Sequence, residues 1–203
     1  ESRGLGDVYK RQEFIPAVQA DKADRAVNCG EEIKFVMHRR EDCKKLVELI
    51  DKGELPLRVT HNLSLIHISE PTRLDLDTVM PGLALYDFGD SIRFGANSCA
   101  EDDDNYDKVE LMLDYFEAYA KGFLSEAGDA LNQCEIDNLA FSAKLMTFEC
   151  GMRFLTDYLN GDTYFKTAYP EHNLVRAKNQ FALVADMERK MEQMQQIIKN
   201  ITE

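Results

Sequence analysis

The chain has 203 residues, of which 37 are acidic and 24 are basic, so its formal net charge is −13. This charge argues against nucleic acid and anionic membranes as partners, because binding phosphate groups requires a basic surface. The chain also lacks an apolar run of roughly 18 residues, the length that predicts a membrane span. Its five cysteines include no Cys-x-x-Cys pair, which fits reduced thiols in a cytoplasmic protein.

Two segments of the chain are related through their DNA rather than as protein. Residues 1–12 (ESRGLGDVYKRQ) and 63–74 (LSLIHISEPTRL) can each be written as the antisense translation of the other, codon for codon. The shared DNA resembles the transposase adapter used to fragment sequencing libraries. We therefore expect neither segment to be native, and we interpret residues 13–62 and 75–203 as the two native parts.

The first native part predicts a helix followed by a strand. Residues 31–52 place apolar side chains at mostly helical spacing and end at Lys52-Gly53, a typical helix stop. Residues 57–60 then read as a strand that ends at His61-Asn62.

The second native part begins with a short strand and continues as helices. Residues 75–79 alternate like a strand, and the following Met80-Pro81-Gly82 predicts a turn. The apolar pattern then predicts helices over about 85–96, 107–124, 135–160 and 173–200. The fold class expected from the whole pattern is α+β, mainly α-helical.

Four ordered segments resemble one enzyme family. They are ELPLRVTHN, DLDTVMPGLALYDFGDSIRFGAN, AKLMTFECGMRFLTDYLNGDTYF and PEHNLVRAKNQFALVADMERK. Together they are similar to the N-acetylhexosamine 1-kinases, within the aminoglycoside phosphotransferase and choline kinase-like group. The resemblance implies a protein kinase-like carboxyl-terminal lobe, begun by residues 13–62 and completed by 75–203. It implies transfer of the ATP γ-phosphate to the anomeric hydroxyl of GlcNAc or GalNAc, with ATP and Mg²⁺ as cofactors.

The resemblance also implies that the catalytic loop is interrupted. In this group the loop reads His-Asn-Asp, followed within a few residues by an Asn that holds magnesium. Here His61 and Asn62 are followed by Leu63, so we expect both the catalytic Asp and the loop Asn to be missing. We also expect the nucleotide-binding amino-terminal lobe to be absent, and the chain to be inactive.

Two nearby aspartates map to the metal site of the family. Asp75 matches the residue that bridges magnesium to the phosphates, and Asp77, two residues along the strand, faces the same side. Asp87-Phe88-Gly89 spells the DFG motif of protein kinases, whose Asp binds magnesium. We instead expect Asp87 to cap the following helix.

The positions that match the family's sugar-binding residues are Arg153 and Tyr164, with Arg93 as a weaker candidate. A guanidinium can donate two hydrogen bonds to sugar oxygens or to an N-acetyl carbonyl. The structural alternative is that Arg153 pairs with Glu149 or Asp157, one helical turn away on either side.

Two other function classes stay open. The first keeps the fold and changes the acceptor to an aminoglycoside, choline or homoserine. Aminoglycosides are polycations, so a pocket that contains arginines suits a neutral acetamido sugar better. The second is a helical binding protein without catalysis. His172, which precedes a predicted helix, is expected to be a capping or packing group.

Overall fold

The computed structural model describes residues 6–60 and 79–203, and for residues 6–12 only the backbone. The described part is mainly α-helical with one two-stranded antiparallel sheet, as the sequence predicted. The helices are α1 (Gly6–Ala20), α2 (Gly30–Arg39), α3 (Lys45–Asp51), α4 (Ala84–Gly95), α5 (Leu113–Ala127), α6 (Gln133–Asp137), α7 (Leu139–Leu159) and α8 (His172–Thr202). The strands are β1 (Arg58–Thr60) and β2 (Met80–Gly82).

Helix α7 is the centre of the fold. It packs against α8, α4 and α1, and most of its side chains are buried, among them Leu145, Phe148 and Leu155. Helix α8 confirms the helix predicted over 173–200 and buries its apolar stripe against α7. None of the helices in the described ranges is both long enough and apolar enough to cross a lipid bilayer.

Glycines allow the close contact between α7 and its neighbours. A Cβ at Gly89 of α4 would lie 2.5 Å from the backbone oxygen of Ser142, and one at Gly151 would lie 2.7 Å from the ring of Phe181. Gly89 faces the first half of α7, whereas Arg93 lies near Cys150 in its second half. The two helices α4 and α7 therefore run in the same direction.

The predicted turn at Met80-Pro81-Gly82 is wrong, because these residues form β2. Strand β2 pairs with β1 in the register Arg58 with Gly82, Val59 with Pro81 and Thr60 with Met80. Proline is compatible with an edge strand because one side of such a strand makes no ladder hydrogen bonds. Of the predicted strand 75–79, only Val79 lies within the described residues, and it is outside β2.

The helix predicted over 31–52 is broken in the middle. Helix α2 ends at Arg39, a 3-10 turn follows at Asp42–Lys44, and α3 begins at Lys45. The bend buries Cys43 and Leu46, although no glycine or proline marks it in the sequence. The predicted stop at Lys52-Gly53 is confirmed, since Gly53 adopts φ +74°.

Two other helix boundaries also differ from the prediction. The helix expected from 107 begins only at Leu113, because Val109 and Leu111 are buried and alternate with exposed neighbours, as in extended chain. The helix expected over 135–160 is divided at Asn138 into α6 and α7. Local apolar spacing located these elements but did not fix where they begin.

An ion pair ties the sheet to the helical core. Arg58 of β1 donates to both carboxylate oxygens of Glu135 at 2.6 Å. Glu135 is fully buried and also closes a capping box with Asn132 at the start of α6. The Gly82 end of the sheet, where Arg58 lies, is therefore held near the amino-terminal end of α7.

Candidate functional site

The predicted catalytic and metal-binding positions lie outside the described residues. His61 and Asn62 follow β1 directly in the chain, and Asp75 and Asp77 precede β2. Their roles as loop remnants and magnesium ligands stay predictions. In residues 13–60 and 79–203, whose side chains are described, no group of three or more His, Cys, Asp or Glu side chains could hold a metal ion.

The Asp87-Phe88-Gly89 sequence lies in the packing interface of α4. Phe88 is fully buried against the rings of Phe116 and Phe123, and Gly89 allows α7 to approach. The prediction that Asp87 caps this helix is wrong. The N-cap residue of α4 is Leu83, and Asp87 lies in the first turn of the helix. A carboxylate there still interacts favourably with the helix dipole.

Arg93 is buried and held by two carboxylates. Its side chain is 4% exposed, and it pairs with Asp90 at 2.8 Å and Glu101 at 2.6 Å. Burial alone would lower the pKa of Arg93, but Cys150, Asp90 and Glu101 raise it well above its ordinary value. This geometry favours a structural ion-pair network for Arg93, and its role in sugar binding stays a prediction.

Arg153 lies against two aromatic rings. Its guanidinium carbon is 5.9 Å from the ring centre of Tyr164 and 5.4 Å from that of Phe165, and the residue is half-buried. The two rings contact each other edge to face, with centres 4.8 Å apart. The structure therefore brings together the two residues that the sequence singled out for sugar binding.

The structural alternative for Arg153 was an ion pair along its own helix. In the described part of the chain, Arg153 is not among the residues that form ion pairs. The carboxylate of Asp157 is directed instead to the loop after α7, where it accepts hydrogen bonds from the N–H groups of Thr163, Tyr164 and Phe165. Asp157 therefore accepts hydrogen bonds from the loop and not from Arg153.

Cys150 connects the surroundings of the two arginines. Burial raises the pKa of its thiol to about 11, while the guanidinium groups of Arg93 and Arg153 act in the opposite direction. The thiol is therefore within electrostatic reach of both side chains. Such a thiol stays protonated near neutral pH, so Cys150 is not expected to act as a nucleophile.

His172 is a packing group at the start of α8, in agreement with the sequence prediction. Its Nδ1 accepts a hydrogen bond from the Ala168 N–H at 3.0 Å, and its ring stacks on Tyr169 at 4.6 Å. The side chain is 5% exposed, and its Nε2 lies 3.5 Å from a carboxylate oxygen of Asp102.

The candidate site is therefore the surface formed by Arg153, Tyr164 and Phe165. Tyr164 is 69% exposed, so its ring can be reached from solvent while it packs against Phe165. A cation beside accessible aromatic rings can hydrogen-bond polar ligand groups while the rings cover the apolar face of a ligand. Phe165 was missed in the sequence because an aromatic residue in a loop carries no periodic signal.

Comparison with models of known protein families finds none that matches this chain.

Proposed function

We propose that the chain derives from an ATP-dependent sugar kinase that phosphorylates the anomeric hydroxyl of N-acetylhexosamines. The chain would supply a protein kinase-like carboxyl-terminal lobe whose catalytic loop has been replaced between Asn62 and Asp75. The order of the four resembling segments supports this assignment. The fold agrees with it at a coarser level, being mainly helical with one small antiparallel sheet.

The observation that carries the proposal is the placement of Arg153 beside Tyr164 and Phe165. These residues come from α7 and from the loop that follows it. A half-buried guanidinium that forms no ion pair with the described residues can donate hydrogen bonds to a ligand. Sugar hydroxyl groups and an acetamido carbonyl are acceptors, and the apolar face of a sugar ring fits against an aromatic ring.

The division of roles in the intact enzyme follows from the kinase chemistry. An Asp directly after Asn62 would orient the anomeric hydroxyl and accept its proton, while Asp75 and Asp77 would hold magnesium against the phosphates of ATP. Arg153 and Tyr164 would fix the sugar so that this hydroxyl faces the γ-phosphate. In the chain as it stands Leu63 occupies the place of the Asp, and we expect no phosphate transfer.

Sequencing the uninterrupted gene from its source DNA tests the proposal. We expect an Asp codon directly after that of Asn62 and an Asn codon a few positions later. The protein from that gene should form ADP from ATP in the presence of GlcNAc or GalNAc, and its variant with Asn in place of the new Asp should not. A gene without an acidic residue at this position would contradict the kinase assignment and favour a helical binding protein. Activity with an aminoglycoside or choline, and none with GlcNAc or GalNAc, would assign the enzyme to another acceptor class.

A further inference from the structure

The loop between α7 and α8 is fixed to the helical core through one carboxylate. Asp157 accepts hydrogen bonds from the backbone N–H groups of Thr163, Tyr164 and Phe165, each at 2.9 Å, and is 5% exposed. Three consecutive N–H groups directed to one carboxylate leave the intervening peptide planes little freedom. The position of Asp157 therefore sets the backbone from which the Tyr164 ring projects.

A second set of contacts ties the same loop to α8 and to the chain after α1. The Asn173 amide donates to Asp157 and to Asp162, both at 2.9 Å. Arg25 forms an ion pair with the other oxygen of Asp162 and donates to the Tyr158 carbonyl at 3.0 Å. Asp162 has φ +59°, a left-handed conformation that Asp adopts more readily than most residues. The loop is thus held at its turn as well as along its length.

We propose that Asp157 is a positioning residue of the candidate sugar site, which it builds by holding Tyr164 beside Arg153. Arg153 and Asp157 lie one turn apart on α7, so the helix fixes the guanidinium and the loop anchor at a constant separation. Arg25 and Asp162 lie outside the site and also hold this loop in place. The identity of the ligand rests on the proposed sugar kinase function, whereas the anchoring of the loop does not.

Asp186 provides a matched control. It is also 5% exposed, lies in the neighbouring helix α8, and accepts a hydrogen bond from a backbone N–H, that of Leu111, at 2.7 Å. It forms ion pairs with Lys190 and Arg189, and in the described part of the chain neither of these two residues donates a hydrogen bond to the loop after α7. Replacing either carboxylate removes a buried acceptor, but only Asp157 holds Tyr164.

The experiment compares Asp157→Asn, Arg25→Gln and Asp186→Asn with the unaltered chain. Amide hydrogen exchange at residues 163–165 reports loop anchoring, and the NMR shift of the Arg153 Nε–H group reports the ring currents of Tyr164 and Phe165. GlcNAc titration followed by NMR reports ligand binding. Each oxygen of the Asp157 carboxylate accepts at least two hydrogen bonds, and Asn keeps only one acceptor oxygen. For Asp157→Asn we therefore expect exchange at these three amides to rise at least about tenfold more than in Asp186→Asn. We also expect the Arg153 signal to move toward its random-coil position and GlcNAc affinity to fall about tenfold.

Each outcome decides one part of the inference. Unchanged exchange and an unchanged Arg153 signal in Asp157→Asn would overturn the anchoring role. A freed loop with unaltered GlcNAc affinity would overturn the positioning role. Failure of the unaltered chain to bind GlcNAc would count against the proposed function, while the exchange and Arg153 signals still decide the anchoring. If Asp157→Asn does not fold, Arg25→Gln decides by the same criteria, with a smaller change expected.

Discussion

The two arginines predicted to bind sugar have different surroundings, and this difference separates their expected effects. Arg153 lies half-buried on aromatic rings, whereas Arg93 is buried between two carboxylates. Substitution of the first should change ligand binding, and substitution of the second should change stability.

For Arg153 we expect a kinetic effect in the enzyme made from the uninterrupted gene. Arg153→Ala should lower kcat/KM for GlcNAc by about 10- to 150-fold, which corresponds to roughly 1.5–3 kcal/mol for a hydrogen bond to a charged group. The melting temperature should change little, because in the described part of the chain Arg153 forms no ion pair whose partner would be left buried without it. Steady-state kinetics and thermal melting of Arg153→Ala and Tyr164→Phe check this. Unaltered kinetics in both variants would remove these residues from the site.

For Arg93 we expect a loss of stability. Arg93→Met keeps most of the side-chain volume but removes the shared cation of Asp90 and Glu101, which are 20% and 26% exposed, and should cost about 1.5–3 kcal/mol, the worth of a hydrogen bond to a charged group. Urea unfolding measures the free energy. Arg153→Met is the control, and its expected cost is only about 0.5–2 kcal/mol, that of a partly buried cation–π contact. Equal losses in the two variants would show that the Arg93 network contributes nothing specific.

Asp186 should contribute to the loss of stability in acid. Burial alone would raise its pKa, but hydrogen bonds from Lys190, Arg189 and the Leu111 N–H lower the pKa below its ordinary value. A folded-state pKa below that of the unfolded chain, about 3.9 for Asp, stabilises the fold above that pH. This contribution is lost as pH falls through the folded value. Unfolding free energies measured from pH 6 to pH 2 should therefore fall more steeply below about pH 5 for the unaltered chain than for Asp186→Asn. If the two proteins lose unfolding free energy equally as the pH falls, Asp186 does not contribute to the acid sensitivity.

Among the elements, α4 and α5 contain glycines in opposite situations. Gly89 faces the backbone of α7, whereas a Cβ at Gly122 of α5 would meet nothing within 4 Å. We expect Gly122→Ala to stabilise the protein by about 0.8–1 kcal/mol, the difference in helix propensity. Gly89→Ala should destabilise it despite the same propensity gain, because α4 would have to move away from Ser142. Chemical denaturation of both variants tests this pair, and a gain of stability in both would show that α4 and α7 are not closely packed.

The sequence predicted long elements better than short ones. Helix α8 was predicted correctly because its apolar stripe continues for many turns, and α4 was predicted to within a residue at each end. The break between α2 and α3 was missed because burial of Cys43 and Leu46, not a local breaker, produces it. Strand β2 was missed because Pro81-Gly82 is a strong turn signal when its pairing with β1 is unknown.

The candidate site was also predictable only in part, because contacts between residues distant in sequence determine much of it. Arg153 and Tyr164 came from the resemblance, and the structure places them in contact. The anchoring of their loop by Asp157 was not foreseen. Its partners are backbone N–H groups, which carry no side-chain signature, and Asn173 and Arg25 are distant in sequence.

At the scale of the whole molecule, we expect the chain as it stands to lack kinase activity. An Asp that accepts the proton of the attacking hydroxyl contributes typically about 10²–10⁴-fold to the rate, and Leu63 cannot replace it. Incubation with ATP, magnesium and GlcNAc or GalNAc, followed by detection of ADP, should give no signal above a protein-free control. The protein from the uninterrupted gene is the positive control. Turnover by the present chain would show that the catalytic residue lies elsewhere.

The pairing of Thr60 with Met80 has a consequence for restoring the catalytic loop of the proposed kinase. The Thr60 hydroxyl donates to the Met80 carbonyl at 3.0 Å, and Arg58 fastens the other end of the same strand to Glu135. The two strands that lead into and out of the replaced segment are thus already paired. The entropy of closing a loop between fixed ends rises only with the logarithm of its length, by about 0.6 kcal/mol for each doubling. Catalytic segments of different lengths between Asn62 and Asp75 could therefore connect these strands at almost equal thermodynamic cost.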